Sequence, residues 1–188
     1  MFCIFYDFRS LMGSNVHYFL TTVTDLLENP GGVTQYDGKK LDFPDIKLIW
    51  WSGGNPYHHH QDLNRFAKAW EKPDTIIVND WCWNATAKRA DIVLPVTTHV
   101  EREDLQLAPR DPYIVAMKKA VEPPKGVRGD HQVFKGIAAV LGVEEEFTEG
   151  RSEDEWLRWI WDKTRQNSEA EGMVLPDWDE LQAMGWYK

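Results

Sequence analysis

The chain has 188 residues and carries 21 Lys and Arg against 30 Asp and Glu, which gives a formal net charge of −9. A chain of this length buries about two thirds of its unfolded surface, so it needs no disulfide framework or structural metal to fold. The acidic balance argues against general binding to nucleic acid or to an anionic membrane, because both require a basic surface.

Two other features limit the class of protein. Cys3 and Cys82 form no CxxC pair, so neither a disulfide scaffold nor a thiolate metal site is indicated. The opening residues 1–10 are apolar but too few to span a membrane, and they lack the basic start of a signal peptide. We therefore expect no membrane partner and no nucleic-acid partner.

The first predicted elements follow hydrophobic spacing. Residues 14–28 place apolar side chains at helical intervals and end at Asn29-Pro30-Gly31-Gly32, which predicts an amphipathic helix. Residues 46–51 form a short apolar run typical of a buried strand. Residues 60–72 return to helical spacing, with Asp62 in the first turn and Pro73 after the end.

A second strand and a third follow closely. Residues 75–78 form a β-branched run that ends at Asn79-Asp80, residues 84–90 fit a short helix, and residues 91–96 fit another strand. Strand, helix and strand within about thirty residues make a βαβ unit with parallel strands and a right-handed crossover. The fold class predicted is α/β, with a mostly parallel sheet.

The rest of the chain is predicted to be helical. A stiff connector at 122–126 precedes a helix from Asp130, a potential cap, to Leu141. Ser152 and Glu155 have capping-box spacing before an aromatic helix, and a last helix covers 177–184. We expect a single α/β domain over residues 1–188, with a core at about 14–148 and a helical extension at 149–188.

The ligand site is expected beyond the carboxyl ends of the parallel strands, where loops face helix N-termini. Three such ends are predicted, at Gly53-Gly54-Asn55-Pro56 with residues 57–60, at Asn79-Asp80, and at Thr97-Thr98 with Glu101-Arg102. Glycines allow close approach to the backbone, amides and imidazoles offer hydrogen bonds, and an arginine can grip a phosphate. Together these groups suit a nucleotide.

Each of these motifs has a less specific interpretation. The glycine turn lacks the GxGxxG fingerprint and the Walker lysine. The run His58-His59-His60 suggests a metal site, but consecutive residues point in different directions, so structural or ligand-polar histidines are favoured. Residues 101–104 could be a solvated charged run, and Asp130 a helix cap. No GxSxG, HExxH or CGxC motif occurs, so no catalytic or metal-ligating residue is assigned.

The motifs resemble one family closely. The strings WWSGGNPYHHHQDLNRFAKAW, TIIVND, TAKRADIVLPVTTHVEREDL, RDPYIVAMKKAVEPPKGVRGDHQVF and FTEGRSEDEWL are similar to the dimethyl sulfoxide reductase family of molybdopterin oxidoreductases. Within it they resemble the branch of dimethyl sulfoxide, trimethylamine N-oxide and biotin sulfoxide reductases. The resemblance extends over about residues 20–185.

The resemblance implies a Rossmann-like sheet with helices on both faces that holds one guanine nucleotide tail of a molybdenum bis(molybdopterin guanine dinucleotide) cofactor. Motif matching assigns these cofactor contacts: Asn55, His59, Asn79, Asp80, Arg102 and Asp130. Relatives often carry a bulkier residue where Asn79 stands.

Members of this family are several times longer, so the chain is expected to be a fragment, either an excised piece, a truncated gene product or a split subunit. Its partners would be the remaining domains and, for the parent enzyme, an S- or N-oxide substrate. The parent could be periplasmic or cytoplasmic. Two further hypotheses are a catalytically silent nucleotide-binding or assembly module and, more distantly, a histidine-cluster metal-binding protein.

The expected fragment has two consequences. The isolated chain should bind no molybdenum, because the ligating segment and half of the nucleotide cradle would lie elsewhere. It should also self-associate through exposed apolar faces, for which the candidates are the C-terminal tryptophans Trp156, Trp159, Trp161, Trp178 and Trp186.

Overall fold

The computed structural model describes residues 2–5, 23–36, 38–107 and 111–188. The chain divides into two compact units, Met1–Pro95 and Val96–Lys188. Each unit has its own sheet and its own buried core. This division lies at Pro95, whereas the sequence indicated a change of character near residue 148. The expected domain extent, and the status of the chain as a fragment, stay predictions.

The first unit is built on a four-stranded sheet in the order β1-β4-β5-β6. Strands β4, β5 and β6 run parallel, and β1 joins the edge antiparallel to β4. A separate antiparallel pair joins β2 and β3. The strands are β1 (Phe2–Phe5), β2 (Val33–Tyr36), β3 (Lys39–Asp42), β4 (Leu48–Ser52), β5 (Thr75–Asp80) and β6 (Ile92–Pro95).

The parallel part of this sheet confirms the βαβ prediction, and the edge strand was missed. The helices of the unit are α1 (Val23–Glu28), α2 (Pro56–His59) and α3 (Leu63–Trp70). The helix predicted over 14–28 is confirmed from Val23, and residues 14–22 lie outside the described residues. The helix predicted over 84–90 is instead a single 3₁₀ turn at Ala87–Arg89.

Helix α3 begins at a side-chain cap. The Asp62 carboxylate accepts a hydrogen bond from the Arg65 backbone N–H at 3.2 Å, and Asp62 has a φ of 46° in the left-handed region. Asp tolerates this conformation better than most residues, because its short side chain can bond locally. The Arg65 guanidinium then bonds Asp25 and Glu28 of α1, which fastens the two helices together.

The core of the first unit is aromatic. Phe66 lies 5.1 Å from Trp70 and 4.9 Å from Tyr57, and Trp51 lies 5.6 Å from Trp70 between ring centroids. The tilted and edge-on geometries are those that aromatic quadrupoles favour. Burial raises the pKa of Tyr57 to about 12. Helices α2 and α3 are thus anchored beneath the loop that follows β4.

The described part of the second unit, residues 96–107 and 111–188, combines an antiparallel sheet with four helices. Its strands are β7 (Asp104–Gln106), β8 (Ile114–Met117) and β9 (Trp186–Tyr187), in the order β7-β8-β9. Its helices are α4 (Asp130–Leu141), α5 (Glu144–Thr148), α6 (Glu153–Ala170) and α7 (Trp178–Met184), and a 3₁₀ turn covers His99–Glu101. The sequence predicted α4, α6 and α7 but not the sheet.

The helix ends of this unit correct one prediction and confirm another. Gly129, not Asp130, is the N-cap of α4, and Asp130 is the first helical residue. The capping box of α6 is confirmed, since the Ser152 backbone N–H donates to Glu155 at 2.8 Å and the Glu155 N–H donates to Ser152 Oγ at 3.3 Å. Both oxygens thereby satisfy N–H groups that the helix leaves open.

The tryptophans of the second unit divide between core and surface. Trp161 and Trp178 pack with Ala116 and Leu181, and the Trp161 indole donates to the Pro176 carbonyl at 3.1 Å. These two tryptophans therefore cannot belong to the exposed apolar face that the sequence suggested. Trp159 and Trp186 are 39% and 56% exposed and remain candidates for it.

The aromatic core predicts a large cost for removing Phe66, whose side chain is fully buried. Phe66→Ala should lower the free energy of unfolding by about 3–5 kcal/mol, because the neighbouring rings cannot collapse into the space. Urea unfolding followed by tryptophan fluorescence measures the change. Leu63→Ala on the same helix, where Leu63 is 42% exposed, should cost less than about 1 kcal/mol. Equal costs for the two variants would contradict this packing.

Candidate functional site

The carboxyl ends of β4 and β5 form one edge of the first sheet. Ser52, the last residue of β4, pairs with Asn79, and Asp80, the last residue of β5, pairs with Pro95 of β6. Gly53 and Gly54 follow β4 with φ values of 84° and 76°. Residues with a Cβ rarely adopt this left-handed conformation, so the turn out of β4 depends on glycine.

Asp80 lies at the centre of this edge. It is 9% exposed, and both of its carboxylate oxygens accept hydrogen bonds. Oδ1 accepts from the Cys82 backbone N–H at 3.1 Å, and Oδ2 accepts from Asn84 Nδ2. A carboxylate offers about four lone-pair sites, so about two remain beyond these N–H donors, and the Cys82 thiol also forms a hydrogen bond to Asp80.

A continuous set of hydrogen bonds joins the two loops. Asn84 Oδ1 accepts from the backbone N–H groups of Thr86 at 3.0 Å and Ala87 at 2.9 Å. The Thr86 hydroxyl donates to Asn55 Oδ1 at 2.6 Å. The structure thus brings together Asn55 and Asp80, two of the residues that the sequence assigned to the cofactor, through Asn84 and Thr86.

The sequence missed Asn84 and Thr86 because the stretch was interpreted as the start of a helix. The residue type gives a local signal, because the side-chain oxygen of Asn often accepts a hydrogen bond from the backbone N–H two residues later and so forms an Asx turn. Thr86 is fully buried, so its hydroxyl needs a partner, and Asn55 supplies it.

Asn79 and His59 have different surroundings. Asn79 is 3% exposed, and its Oδ1 accepts a hydrogen bond from the Trp50 indole at 2.9 Å. Neighbouring residues of a strand point to opposite faces, so Asn79 and Asp80 do not share a face of the sheet. His59 is exposed at the end of α2. Their roles toward a cofactor stay predictions.

The third histidine of the run is part of the packing. The His60 ring stacks on Phe66 at 4.3 Å between centroids, and its Nδ1 lies 2.7 Å from the Gln61 carbonyl oxygen. Within the described ranges, no group of three or more His, Cys, Asp or Glu side chains is arranged to hold a metal ion. The stacked ring makes His60 part of the packing around Phe66.

Two large aromatic side chains stand exposed directly after Asp80. Trp81 and Trp83 are 67% and 68% exposed and flank Cys82. Desolvation raises the pKa of the Cys82 thiol above its ordinary value, and the negative charge of Asp80 raises it further. Since the thiolate is the reactive form, this cysteine is not an activated nucleophile.

Arg102 and Asp130 belong to the second unit. The Arg102 guanidinium bonds Asp104 Oδ2 through Nε at 3.1 Å and Nη2 at 2.8 Å, and it donates from Nη1 to the Thr97 carbonyl at 3.1 Å. Asp104 thus bonds the Arg102 guanidinium, which the sequence suggested as a phosphate contact. Asp130 is partly exposed at the first residue of α4.

A cleft of about 260 Å³ opens beside Arg102. Its walls include Thr97 and Arg128 together with four acidic residues, Glu101, Glu103, Glu153 and Asp154. The Thr97 hydroxyl is buried and finds no hydrogen-bond partner among the described residues. A buried hydroxyl without a partner is costly, so this atom could serve a polar ligand.

No helix in the described ranges is both long enough and apolar enough to cross a membrane.

Comparison with known proteins identifies a family and several relatives. A family model described as molybdopterin oxidoreductase matches residues 30–140. A biotin sulfoxide reductase from Cereibacter sphaeroides is 45% identical over 164 residues, which cover 87% of this chain and 22% of that protein. A dimethyl sulfoxide/trimethylamine N-oxide reductase from Rhodobacter capsulatus is 45% identical over 165 residues, with 87% and 20% covered.

A third relative and a solved structure are also similar to this chain. A trimethylamine-N-oxide reductase from Haemophilus influenzae is 41% identical over 166 residues, which cover 87% of this chain and 20% of that protein. The chain thus spans about a fifth of the length of the relatives it matches. The structure of an acetylene hydratase from Pelobacter acetylenicus matches 89% of this chain with a TM-score of 0.64 at 21% identity, which shows a shared α/β fold.

The contact between Asp80 and Cys82 predicts a change in thiol reactivity. In a Cys3→Ser background, Asp80→Asn should speed the alkylation of Cys82 by iodoacetamide at about pH 7 by about threefold or more, because it lowers the raised pKa of the thiol. The rate is followed by mass spectrometry over a pH series. Asp74→Asn, a charge-matched change at an exposed position, should leave the rate unaltered. Equal rates in both variants would disprove the coupling.

Proposed function

Since the chain belongs to the molybdopterin oxidoreductase family, as its sequence resemblance predicted, we propose that it holds one guanine nucleotide tail of a molybdopterin guanine dinucleotide cofactor. Its three named relatives are reductases of S- or N-oxides. The parent enzyme would accordingly transfer an oxygen atom from an S- or N-oxide substrate. The observation that carries the proposal is the carboxylate of Asp80 at the carboxyl edge of a parallel sheet.

Asp80 suits guanine better than adenine. The N1–H and the exocyclic N2–H₂ of guanine form two parallel donors that a carboxylate accepts side by side, whereas adenine presents an acceptor at N1. The protein supplies two N–H donors to Asp80, from Cys82 and Asn84, and the weakly donating Cys82 thiol, which the stronger N–H donors of a base would displace. Because Asp80 is buried, each further bond to it would be strengthened by the low local dielectric.

The neighbouring loop fits a nucleotide that approaches the backbone. Gly53 and Gly54 carry no side chain at the point where β4 ends, so ribose or phosphate oxygens could come close to main-chain N–H groups. Asn55 has its Oδ1 engaged by Thr86, and it would offer its Nδ2 as a donor. We assign His59 and Asn79 to the same ligand from motif matching alone.

In the second unit, the residues proposed to contact the cofactor are Arg102 and Asp130. Thr97 supports a polar ligand near Arg102, because its buried hydroxyl is without a partner in the described part of the chain. An anionic group that reached Arg102 would share the guanidinium with Asp104. Arg102 has five N–H donors, of which Asp104 engages two and the Thr97 carbonyl one, so about two remain for such a group.

The chain itself is proposed to bind and orient, not to react. When bound in the parent enzyme, the cofactor would supply the redox chemistry of its molybdenum ion. In the first unit, Asp80 and Asn55 would fix the nucleotide. A cofactor that is held firmly by its nucleotide tail is also held in a defined orientation at its reactive end.

The proposal predicts base-selective binding. Asp80→Ala should weaken the binding of GDP by about tenfold or more and largely abolish the preference over ADP, because a charge-assisted contact is worth about 1.5–3 kcal/mol. Calorimetry with both nucleotides on both proteins measures this. Asp74→Ala should retain the preference. Equal affinity of the wild type for GDP and ADP would refute Asp80 as the residue that recognises guanine.

The proposal also predicts that the isolated chain has no redox activity. The purified 188-residue protein should contain no stoichiometric molybdenum and should not reduce dimethyl sulfoxide or trimethylamine N-oxide with a viologen donor. Metal analysis and a viologen assay test this. Molybdenum at about one ion per chain would overturn the binding role assigned here. GDP binding together with this inactivity would also fit a catalytically silent nucleotide-binding module. The sequence of the gene that encodes the chain would separate this hypothesis from that of a part of an oxidoreductase.

A further inference from the structure

Asn84 lies outside the residues assigned to the nucleotide, yet it contacts Asp80 directly. Its orientation is determined by the backbone. Asn84 Oδ1 meets the N–H groups of Thr86 and Ala87, and only an oxygen can accept from two N–H donors. The amide Nδ2 therefore faces Asp80 as a donor and cannot turn over without loss of both backbone bonds.

The Asp80 carboxylate is held on both oxygens. The Cys82 backbone N–H donates to Oδ1, and Asn84 donates to Oδ2. Two donors on different oxygens fix the plane of the carboxylate as well as its position. A carboxylate that reads two parallel donors of a base needs this orientation, because misalignment weakens hydrogen bonds steeply.

Thr86 extends the set to the loop after β4. Its N–H bonds Asn84, and its hydroxyl donates to Asn55 Oδ1 at 2.6 Å. Thr86 is fully buried, so water cannot replace either bond. One residue thereby ties the turn after β5 to the amide of Asn55 after β4.

We infer that Asn84 is a positioning residue that orients the Asp80 carboxylate toward the base, and that Thr86 couples this orientation to Asn55. The inference rests on the proposed nucleotide binding for its ligand, and it concerns a residue that motif matching did not select. Asn84 would act through Asp80 without contacting the cofactor itself.

Asn84→Asp is the sharpest test. Asp retains the oxygen that accepts from Thr86 and Ala87, so the turn is preserved. It replaces the donor that faces Asp80 by a second carboxylate. Two carboxylates at hydrogen-bond distance cannot both be charged without strong repulsion, so the pair should keep one proton to a higher pH than a lone carboxyl does. The protonated carboxyl then donates to its neighbour as the amide did.

Binding of GDP by this variant should therefore depend on pH. At about pH 7.5 its affinity should fall by about tenfold or more below that of the wild type, and at about pH 5 it should return to within about threefold. The wild type, measured by calorimetry in the same buffers, accounts for titration of the GDP phosphate. Asn64→Asp, an exposed change of equal charge on α3, should follow the wild type at both pH values.

Melting temperature gives a second measurement that needs no ligand. The deficit of Asn84→Asp relative to the wild type should shrink as pH falls, because the folded pair binds a proton that the unfolded chain releases. A carboxylate that is stabilised in its charged form would instead make the deficit in melting temperature grow as pH falls. Asn64→Asp should show no such trend.

Thr86 is tested by a matched pair of variants. Thr86→Val removes the hydroxyl at nearly constant shape and should weaken GDP binding by about threefold to tenfold, whereas Thr86→Ser should stay within about twofold of the wild type. Equal binding by the Val and Ser variants would overturn the coupling to Asn55.

The outcomes separate the inference from the proposed function. A wild type that fails to bind GDP refutes the proposed function, and the melting-temperature series still decides the contact between Asn84 and Asp80. A deficit of Asn84→Asp that is the same at every pH, in affinity and in melting temperature, would assign Asn84 to the fold alone and overturn the inference.

Discussion

The parallel pairing of β4 with β5 is the constraint on which the first unit depends. Trp51 pairs with Val78 and Ser52 with Asn79, so the two strands end at the same edge of the sheet. Chains that run parallel need a crossover, and α2 and α3 provide it with the aromatic side chains Tyr57, Phe66 and Trp70. The register that buries these rings against β4 is the same register that places the loop of Asn55 beside the loop of Asp80.

Because of this register, the short loop between β4 and α2 at the edge of the sheet is held at both ends by the core. The turn from β4 needs Gly53 and Gly54, and α2 begins at Pro56, which is fully buried. Pro is favoured at the start of a helix, because the missing N–H would have no helical partner there. Between these fixed points Asn55 has little freedom, so its side chain meets Thr86 rather than capping α2.

How far the sequence predicts this structure depends on the range of the contacts. The β-branched run before Asp80 and the helical spacing before Trp70 are local signals, and both elements were predicted to within a few residues. Strand β9 has two residues, Trp186 and Tyr187, too few to show any periodicity. It forms only because Ile114 and Val115 of a distant segment offer a ladder, which no local pattern reveals.

The site shows the same limit. Asn55 and Asp80 were assigned from their positions after strands and from family motifs, and their link through Thr86 follows from the fold. Asn84 was hidden, because the seven residues after Trp83 have a composition that suits a helix, whereas the Asx turn leaves room for a single 3₁₀ turn. Arg102 was correctly placed after the third strand, but its pairing with Asp104 depends on side-chain geometry that spacing cannot give.

The net charge of −9 sets a further condition on any nucleotide site in this chain. The first unit carries only −2 of this charge, from 9 Lys and Arg against 11 Asp and Glu, so long-range attraction of phosphates contributes little there and recognition would rest on the base and on short-range dipoles. Asp80 meets this condition, because a carboxylate repels phosphate but attracts the donor edge of guanine. Its burial and its two N–H donors from the protein fix the plane in which it could accept further N–H groups. Asn79, one residue earlier, faces the other side of the sheet, where its Oδ1 accepts a hydrogen bond from the Trp50 indole, so a contact between Asn79 and the same ligand stays a prediction from motif matching.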